Sequence, residues 1–247
     1  MALSEDEQRP SAARFATTHW SVVLAAGQRA TSRSRQTLED LCGTYWQPVY
    51  AYLRRRDYGV HEAQDLTQEF FTRLVEKNSL KNVTPEKGRF RSYLLGAVKH
   101  FLANERDRAR AQKRGGGHRF VPLDVAGGES RCGVEPADSS TPEKVFDRCW
   151  ALALLDHVLA RLEEEFVGAG KRETFDHLKV FLTEGKGSTS YSQVADDLDM
   201  TEGAVKVAVH RMRRRYREIL TEYVAETVAG PEDAVDEIRH LLSAVGK

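Results

Sequence analysis

Apolar residues recur along most of this chain at intervals of three and four, the spacing that lines up one face of an α-helix, and almost nothing alternates as a strand does. Thr17-Thr18-His19-Trp20-Ser21-Val22-Val23-Leu24-Ala25-Ala26-Gly27 reads as a short helix stopped by glycine, with His19 and Trp20 capping and burying one end. The fourteen residues before Phe15 read as disordered. Leu38, Leu41, Tyr45, Val49, Tyr50 and Leu53 continue at helical spacing into Arg54-Arg55-Arg56, and Pro48 predicts a kink or a break among them. A further helix is expected from about Val60 to Lys77, burying Ala63, Leu66, Phe70, Phe71 and Leu74. The next starts near Arg91 and carries Tyr93, Leu94, Ala97, Val98, Phe101 and Leu102 toward Gly115-Gly116-Gly117, with Phe101 in the core.

Residues 115–140 hold the glycine triplet, Pro122, Pro136 and Ser139-Ser140-Thr141-Pro142 at their end, without any period, as a linker does. Helices resume near Pro142, where Val145, Trp150, Leu152, Leu155, Val158, Leu159 and Leu162 form an apolar stripe, and Phe175, Leu178, Phe181 and Leu182 give another. Pro231 opens a terminal helix with Val235, Ile238, Leu241, Leu242 and Val245 as its apolar edge. That helix is too short to be stable alone and is expected to pack on the protein or on a partner.

Between these last two segments, residues 191–217 contain two helical patterns joined by a polar break, the arrangement of a helix-turn-helix. Val194, Ala195 and Leu198 share a face of the first; Asp199-Met200-Thr201 makes the turn, and Thr201 is placed to cap the second. Tyr191 is expected to staple the helix that it precedes. In the second helix Val205, Val209, Met212 and Tyr216 face inward, leaving Lys206, Val207, His210, Arg211 and Arg214 outward, where a recognition helix meets base edges and phosphates. Gly203 weakens the helix and so points to a close approach there. Arg211, Arg213, Arg214, Arg215 and Arg217 stand together with no acid among them, a repulsion that an anion must offset.

A length of 247 residues with 40% hydrophobic residues fits one or two ordinary cores. The formal net charge of +0 hides a segregation. Arg89, Arg91, Lys99, Arg106, Arg108, Arg110, Lys113, Arg114 and Arg119 face only Glu105 and Asp107 within their stretch. Cys42, Cys132 and Cys149 are odd in number and far apart, so neither a disulfide framework nor a structural zinc site is expected. No run is long and apolar enough to insert in a membrane and Met1–Pro10 is polar, so a cytoplasmic location is expected. Glu62, Asp65 and Glu69 share a helix face that could hold a divalent cation, but no second ligand set accompanies them. No Gly-rich phosphate loop and no Ser/His/Asp or Cys/His set can be assembled; a non-enzyme with no cofactor and no metal is expected.

Two segments tie these patterns together. Glu62-Ala63-Gln64-Asp65-Leu66-Thr67-Gln68-Glu69-Phe70-Phe71 is followed, after a spacer, by Gly88-Arg89-Phe90-Arg91-Ser92-Tyr93-Leu94. With Tyr45, Val49, Tyr50 and Tyr52 upstream and the helix-turn-helix downstream, this order resembles the extracytoplasmic-function (ECF) group of sigma-70-type RNA polymerase sigma factors. The Thr17–Leu24 opening and the terminal helix resemble a subgroup with extensions at both ends. The resemblance implies an all-α fold of two helical domains: residues 38–114 as region 2 and 145–224 as region 4. A flexible linker, 115–144, joins them; an N-terminal extension with a short helix, 1–37, precedes, and a C-terminal helical extension, 225–247, follows.

It implies a subunit that gives core RNA polymerase its promoter preference and starts transcription, with promoter DNA as the second partner. Polymerase docking falls on Glu62, Asp65, Leu66, Gln68 and Glu69. Melting and holding the minus-ten strand falls on Phe90, Arg91, Tyr93, Lys99, His100 and Arg106, in keeping with the need of unpaired bases for rings and of their backbone for cations. Reading the minus-thirty-five duplex falls on Lys206, Val207, His210, Arg211 and Arg214. The chain departs from the family at Gln64, where a carboxylate is usual, and at His100 and Asn104. The docking face is therefore less negative than the family's. Thr67, beside Asp65 and Glu69, is the phosphorylation candidate that would restore charge, since a phosphate adds about −1.5 to −2. A Ser/Thr kinase or an anti-sigma factor is the regulator to expect. The alternative is a helix-turn-helix regulator that binds duplex DNA without polymerase, which leaves the acidic helix without a purpose.

Overall fold

The structure, a computed structural model, describes residues 32–76, 80, 84, 88–112, 140–183, 189–225, 227–228 and 230–246. The expected opening helix with His19 and Trp20, and nearly all of the expected linker, lie outside the described residues. Among the described residues the regular elements are helical and none is a strand. They run α1 (Ser32–Arg54), α2 (Val60–Glu76), α3 (Phe90–Gln112), α4 (Pro142–Gly168), α5 (Arg172–Leu178), α6 (Val180–Thr183), α7 (Tyr191–Asp197), α8 (Glu202–Ala225) and α9 (Pro231–Val245). Contacts divide the chain into two compact units: residues up to Ala153 together with those from Ala225 on, and Leu154–Val224.

The first unit is built on aromatic rings. Tyr45, Val49, Tyr52 and Leu53 of α1 are buried, as are Ala63, Phe70, Phe71 and Leu74 of α2 and Phe90, Leu94, Val98 and Leu102 of α3. Tyr45 meets Phe90 edge-on at 5.5 Å, Trp46 stacks on Phe71 at 6.0 Å, and Phe70 meets Phe101 at 5.6 Å. Such pairs add about 0.5–1.5 kcal/mol each to the burial of their area. The expected break at Pro48 does not occur, and α1 is one helix through it. A missing backbone donor costs about 3 kcal/mol in a helix interior; burial of Tyr45, Val49 and Tyr52 on either side holds the helix together across it. Asp57, with φ of 65°, ends the turn after α1, and Gly59 starts α2 by accepting from Ala63 N at 2.8 Å.

The N-terminal part of α4 joins this core through Val145, Phe146, Cys149 and Trp150. Cys149 is disulfide-bonded, where no disulfide framework was expected. The terminal helix α9 also belongs to this unit, and of its expected edge Leu241 is the residue fully buried. Its buried positions are Ala234, Glu237 and Leu241, whereas Val235 and Leu242 stand 59% and 51% exposed. A carboxylate sits at the middle of the face that packs, because arginines await it, as described below.

In the second unit Leu154, Val158 and Leu162 of α4, Phe175 and Leu178 of α5, Val194 and Ala195 of α7, and Val205, Val209, Met212 and Ile219 of α8 are buried. The apolar stripe of α4 is thus carried by Leu154 rather than by Leu152, Leu155 and Leu159, which are half-buried. Gly170, with φ of 69°, stops α4: its own N–H bonds Val167 O at 2.9 Å and Lys171 N bonds Phe166 O at 2.8 Å. Only a residue free to take the left-handed conformation closes a helix in that way.

Candidate nucleic-acid interface

The helix-turn-helix is local chemistry made visible. Ser190 caps α7 by accepting from Ser192 N at 3.2 Å. Asp199 takes φ of 50° and Met200 N returns to Ala195 O at 2.9 Å, the same stop as at α4 but without glycine. Thr201 Oγ1 then accepts from Ala204 N at 3.2 Å, capping α8. Tyr191 lies flat on Phe181, their centroids 4.6 Å apart, and Lys206 Nζ sits 5.7 Å from the Tyr191 ring.

On α8 the expected reading face is open. Lys206, Val207, His210, Arg211 and Arg214 are all exposed. Lys206 pairs with Glu202 at 2.6 Å and Arg214 with Glu218 at 3.2 Å, solvent-screened links that a phosphate can replace. Among the described residues Arg211 has no ion-pair partner. A Cβ on Gly203 would meet nothing within 4 Å, so none of the described residues makes the close approach that its glycine pointed to. The arginine run is not wholly directed outward. Arg215 forks onto Glu165 at 2.9 and 2.8 Å, and Arg213 donates to the Phe181 carbonyl at 2.9 Å. The bond to Glu165 raises the Arg215 pKa, and Glu165 is lowered in return. Protein carboxylates therefore offset part of the repulsion ascribed to the run. Tyr216 donates to Leu155 O at 3.2 Å, and burial pushes its pKa up to about 12.

In the first unit α2 presents Glu62 and Asp65 fully, with Leu66, Gln68 and Glu69 half-buried beside them. Glu69 is held by Arg73 at 2.6 Å, and the same guanidinium pairs with Glu105 of α3 and lies 5.2 Å from the Phe101 ring. Among the described residues, the carboxylates of this face without an ion pair are accordingly Glu62 and Asp65. Thr67 is not the solvated threonine that a kinase needs. It is 0% exposed and donates its hydroxyl to Ala63 O at 2.7 Å, because it falls on the face that α2 turns to the core.

The residues expected to hold a melted strand are split. Arg106 and His100 are exposed, His100 bonded to Asn104 at 3.1 Å. Lys99 is exposed but paired with Glu143 at 2.8 Å, a bond that raises the lysine and lowers the glutamate. Tyr93 is half-buried, its pKa raised by that burial. Phe90 and Arg91 require correction. Phe90, 1% exposed, anchors the start of α3 against Tyr45 and offers no stacking surface. Arg91 is buried: Nε donates to Glu237 Oε1 at 2.6 Å, Nη2 to Glu237 Oε2 at 3.1 Å, and Nη1 to Asp147, with the guanidinium 5.7 Å from the Trp150 ring. Arg89 reaches the same Glu237 at 2.7 Å.

Comparison with known proteins finds two likenesses. Residues 41–114, which include α2 and α3, match the model for sigma-70 region 2. The chain is similar to the ECF RNA polymerase sigma factor SigE of Mycolicibacterium smegmatis, with 28% identity over 211 residues that cover 85% of this chain and 70% of that one. No solved structure matches significantly. The chain thus carries a segment that matches sigma-70 region 2 and resembles an ECF sigma factor over most of its length. Glu237, Asp147 and Glu143 were missed as partners of the cations in residues 89–99, since each lies on a helix remote in sequence. One signal was present: the first turn of α3 has no acid of its own beside Arg89 and Arg91, so any compensating charge had to come from elsewhere.

Proposed function

We propose that this chain is a sigma factor that joins core RNA polymerase through the exposed carboxylate face of α2 and directs transcription initiation at promoters. The match of residues 41–114 to sigma-70 region 2 carries the reading. The open cationic face of α8 supports it, because it has the form needed to read duplex DNA at the minus-thirty-five element. Lys206, His210, Arg211 and Arg214 would neutralise phosphates or meet base edges, and Val207, half-exposed among them, offers a methyl contact to thymine. In region 2 the accessible cations Lys99 and Arg106 would follow the backbone of the minus-ten strand, with Tyr93 the ring nearest the surface. The chain itself would make and break no covalent bond. Phosphorylation at Thr67 would first require α2 to leave its core, so the reading carries no kinase step there.

The test is transcription by purified core enzyme, with and without the chain, on a promoter library with mapped starts, alongside pull-down of core enzyme. Start sites that depend on the chain are expected, and Glu62→Lys with Asp65→Lys should abolish both capture and transcription while leaving duplex binding by α8 intact. A chain that binds duplex DNA but never captures core enzyme is a helix-turn-helix regulator instead.

A further inference from the structure

The contact between Glu237 and the two arginines has a geometry that bears on how region 2 meets DNA. Arg91 forks onto both carboxylate oxygens, and Arg89 adds a third donor to one of them. This is the way guanidinium groups hold a phosphate. The carboxylate arrives from 146 residues away, at the start of a helix whose first turn has no acid. Glu237 is 1% exposed, yet the helix that delivers it brings little apolar surface: Ala234 and Leu241 are its fully buried apolar positions, while Val235 and Leu242 face out. A helix seated mainly by charge is open to competition from a polyanion, as one seated by apolar area is not. His240, 3.3 Å from Asp147, adds to the same cluster.

We propose that Arg89 and Arg91 form an anion seat for a backbone phosphate of the single DNA strand, and that Glu237 of α9 occupies this seat in the free chain, so that the terminal helix and DNA compete for it. The proposal rests on the reading of α3 as a minus-ten strand holder. Displacement of α9 would release both guanidiniums, leaving Asp147 as the one acid on Arg91. Binding by α3 would then extend from Lys99 and Arg106 to the start of the helix.

The experiment measures binding of a fluorescein-labelled single-stranded oligodeoxynucleotide of mixed sequence to the full chain by anisotropy across salt concentrations. Glu237→Gln should tighten binding roughly tenfold and steepen the log–log salt dependence by about 0.7, for one added phosphate contact on a single strand. Adding Arg89→Gln and Arg91→Gln to that variant should remove the gain. A Glu237→Gln chain that melts cooperatively and binds no tighter overturns the proposal, as does a gain that survives loss of both arginines. If that variant does not fold, hydrogen exchange of the unaltered chain decides: α9 amides should lose protection on saturation with the oligonucleotide, and unchanged protection overturns it. Arg106→Gln separates the two levels. Weaker binding with an inert Glu237 removes the seat but keeps the strand holder, whereas no binding by any variant removes both.

Discussion

The outer face of α8 and the first turn of α3 hold the same kind of residues, cations expected to meet nucleic acid, and the fold treats them in opposite ways. Lys206, His210, Arg211 and Arg214 stand in solvent, and the ion pairs of Lys206 and Arg214 are each to a neighbour one turn away. Arg91 is buried against two carboxylates and an indole. The difference is one of burial, and burial sets the energy of a charge. An exposed pair contributes about 0–1 kcal/mol and yields readily to a phosphate. A buried pair with one partner removed costs about 3–5 kcal/mol, because the other is left without a counter-ion. One cationic surface is therefore ready for a ligand, while the other is part of the folded core until something displaces its internal anion.

Tryptophan fluorescence allows this contrast to be tested on the first unit alone, since Trp20, Trp46 and Trp150 all precede Leu154. Arg91→Ala should have the largest effect, lowering stability of that unit by about 4 kcal/mol in urea titration as buried Glu237 loses its fork and keeps only Arg89, and Asp147 loses its guanidinium; a loss under about 1 kcal/mol would show that α9 simply lifts away into water. Thr67→Glu should follow at roughly 3 kcal/mol, by forcing a charge into the α2 core, with Thr67→Ala far milder. A stable, active Thr67→Glu chain would restore the phosphorylation reading that the buried hydroxyl removes. In the second unit Thr201→Ala should cost about 1 kcal/mol through loss of the α8 cap, read by thermal melting followed by circular dichroism.

A smaller effect is expected from pH. The hydrogen bond from Arg215 holds Glu165 below its ordinary 4.5, so its stabilisation is complete above that value and is lost as pH falls through the lower folded-state pKa. Glu165→Gln should flatten that part of the acid titration. Smallest in stability is Arg211→Ala, within about 0.5 kcal/mol of the parent chain, although its duplex DNA binding should weaken with a salt slope shallower by about 0.9. Stability and DNA binding would thus respond separately on α8 and together at the start of α3.

The helices themselves were legible because their signals are local. Val205, Val209 and Met212 recur at helical spacing and are buried; Thr201 caps α8 as its hydroxyl and position imply. The bounds of α2 and the starts of α3 and α4 came within a residue or so for the same reason. Pro48 was misread as a break, since propensity carries no knowledge of the rings that pack on both sides of it. The edge of α9 was misread in part. Hydrophobic spacing selects Val235, Ile238, Leu241, Leu242 and Val245, of which Leu241 is buried, and no such pattern includes a glutamate as the centre of a buried face.

What the order of residues determined by itself was the helices, their caps and the outward cations of α8, each governed by neighbours three or four positions away. What only the tertiary structure decided was which charges are available. Thr67 is closed off by the core beneath α2, and Arg91 by Glu237, a group distant along the chain. The reason is physical: helix formation is set by short-range hydrogen bonds and periodicity, whereas the state of a charge depends on its solvent and its counter-ion, and folding alone brings those together.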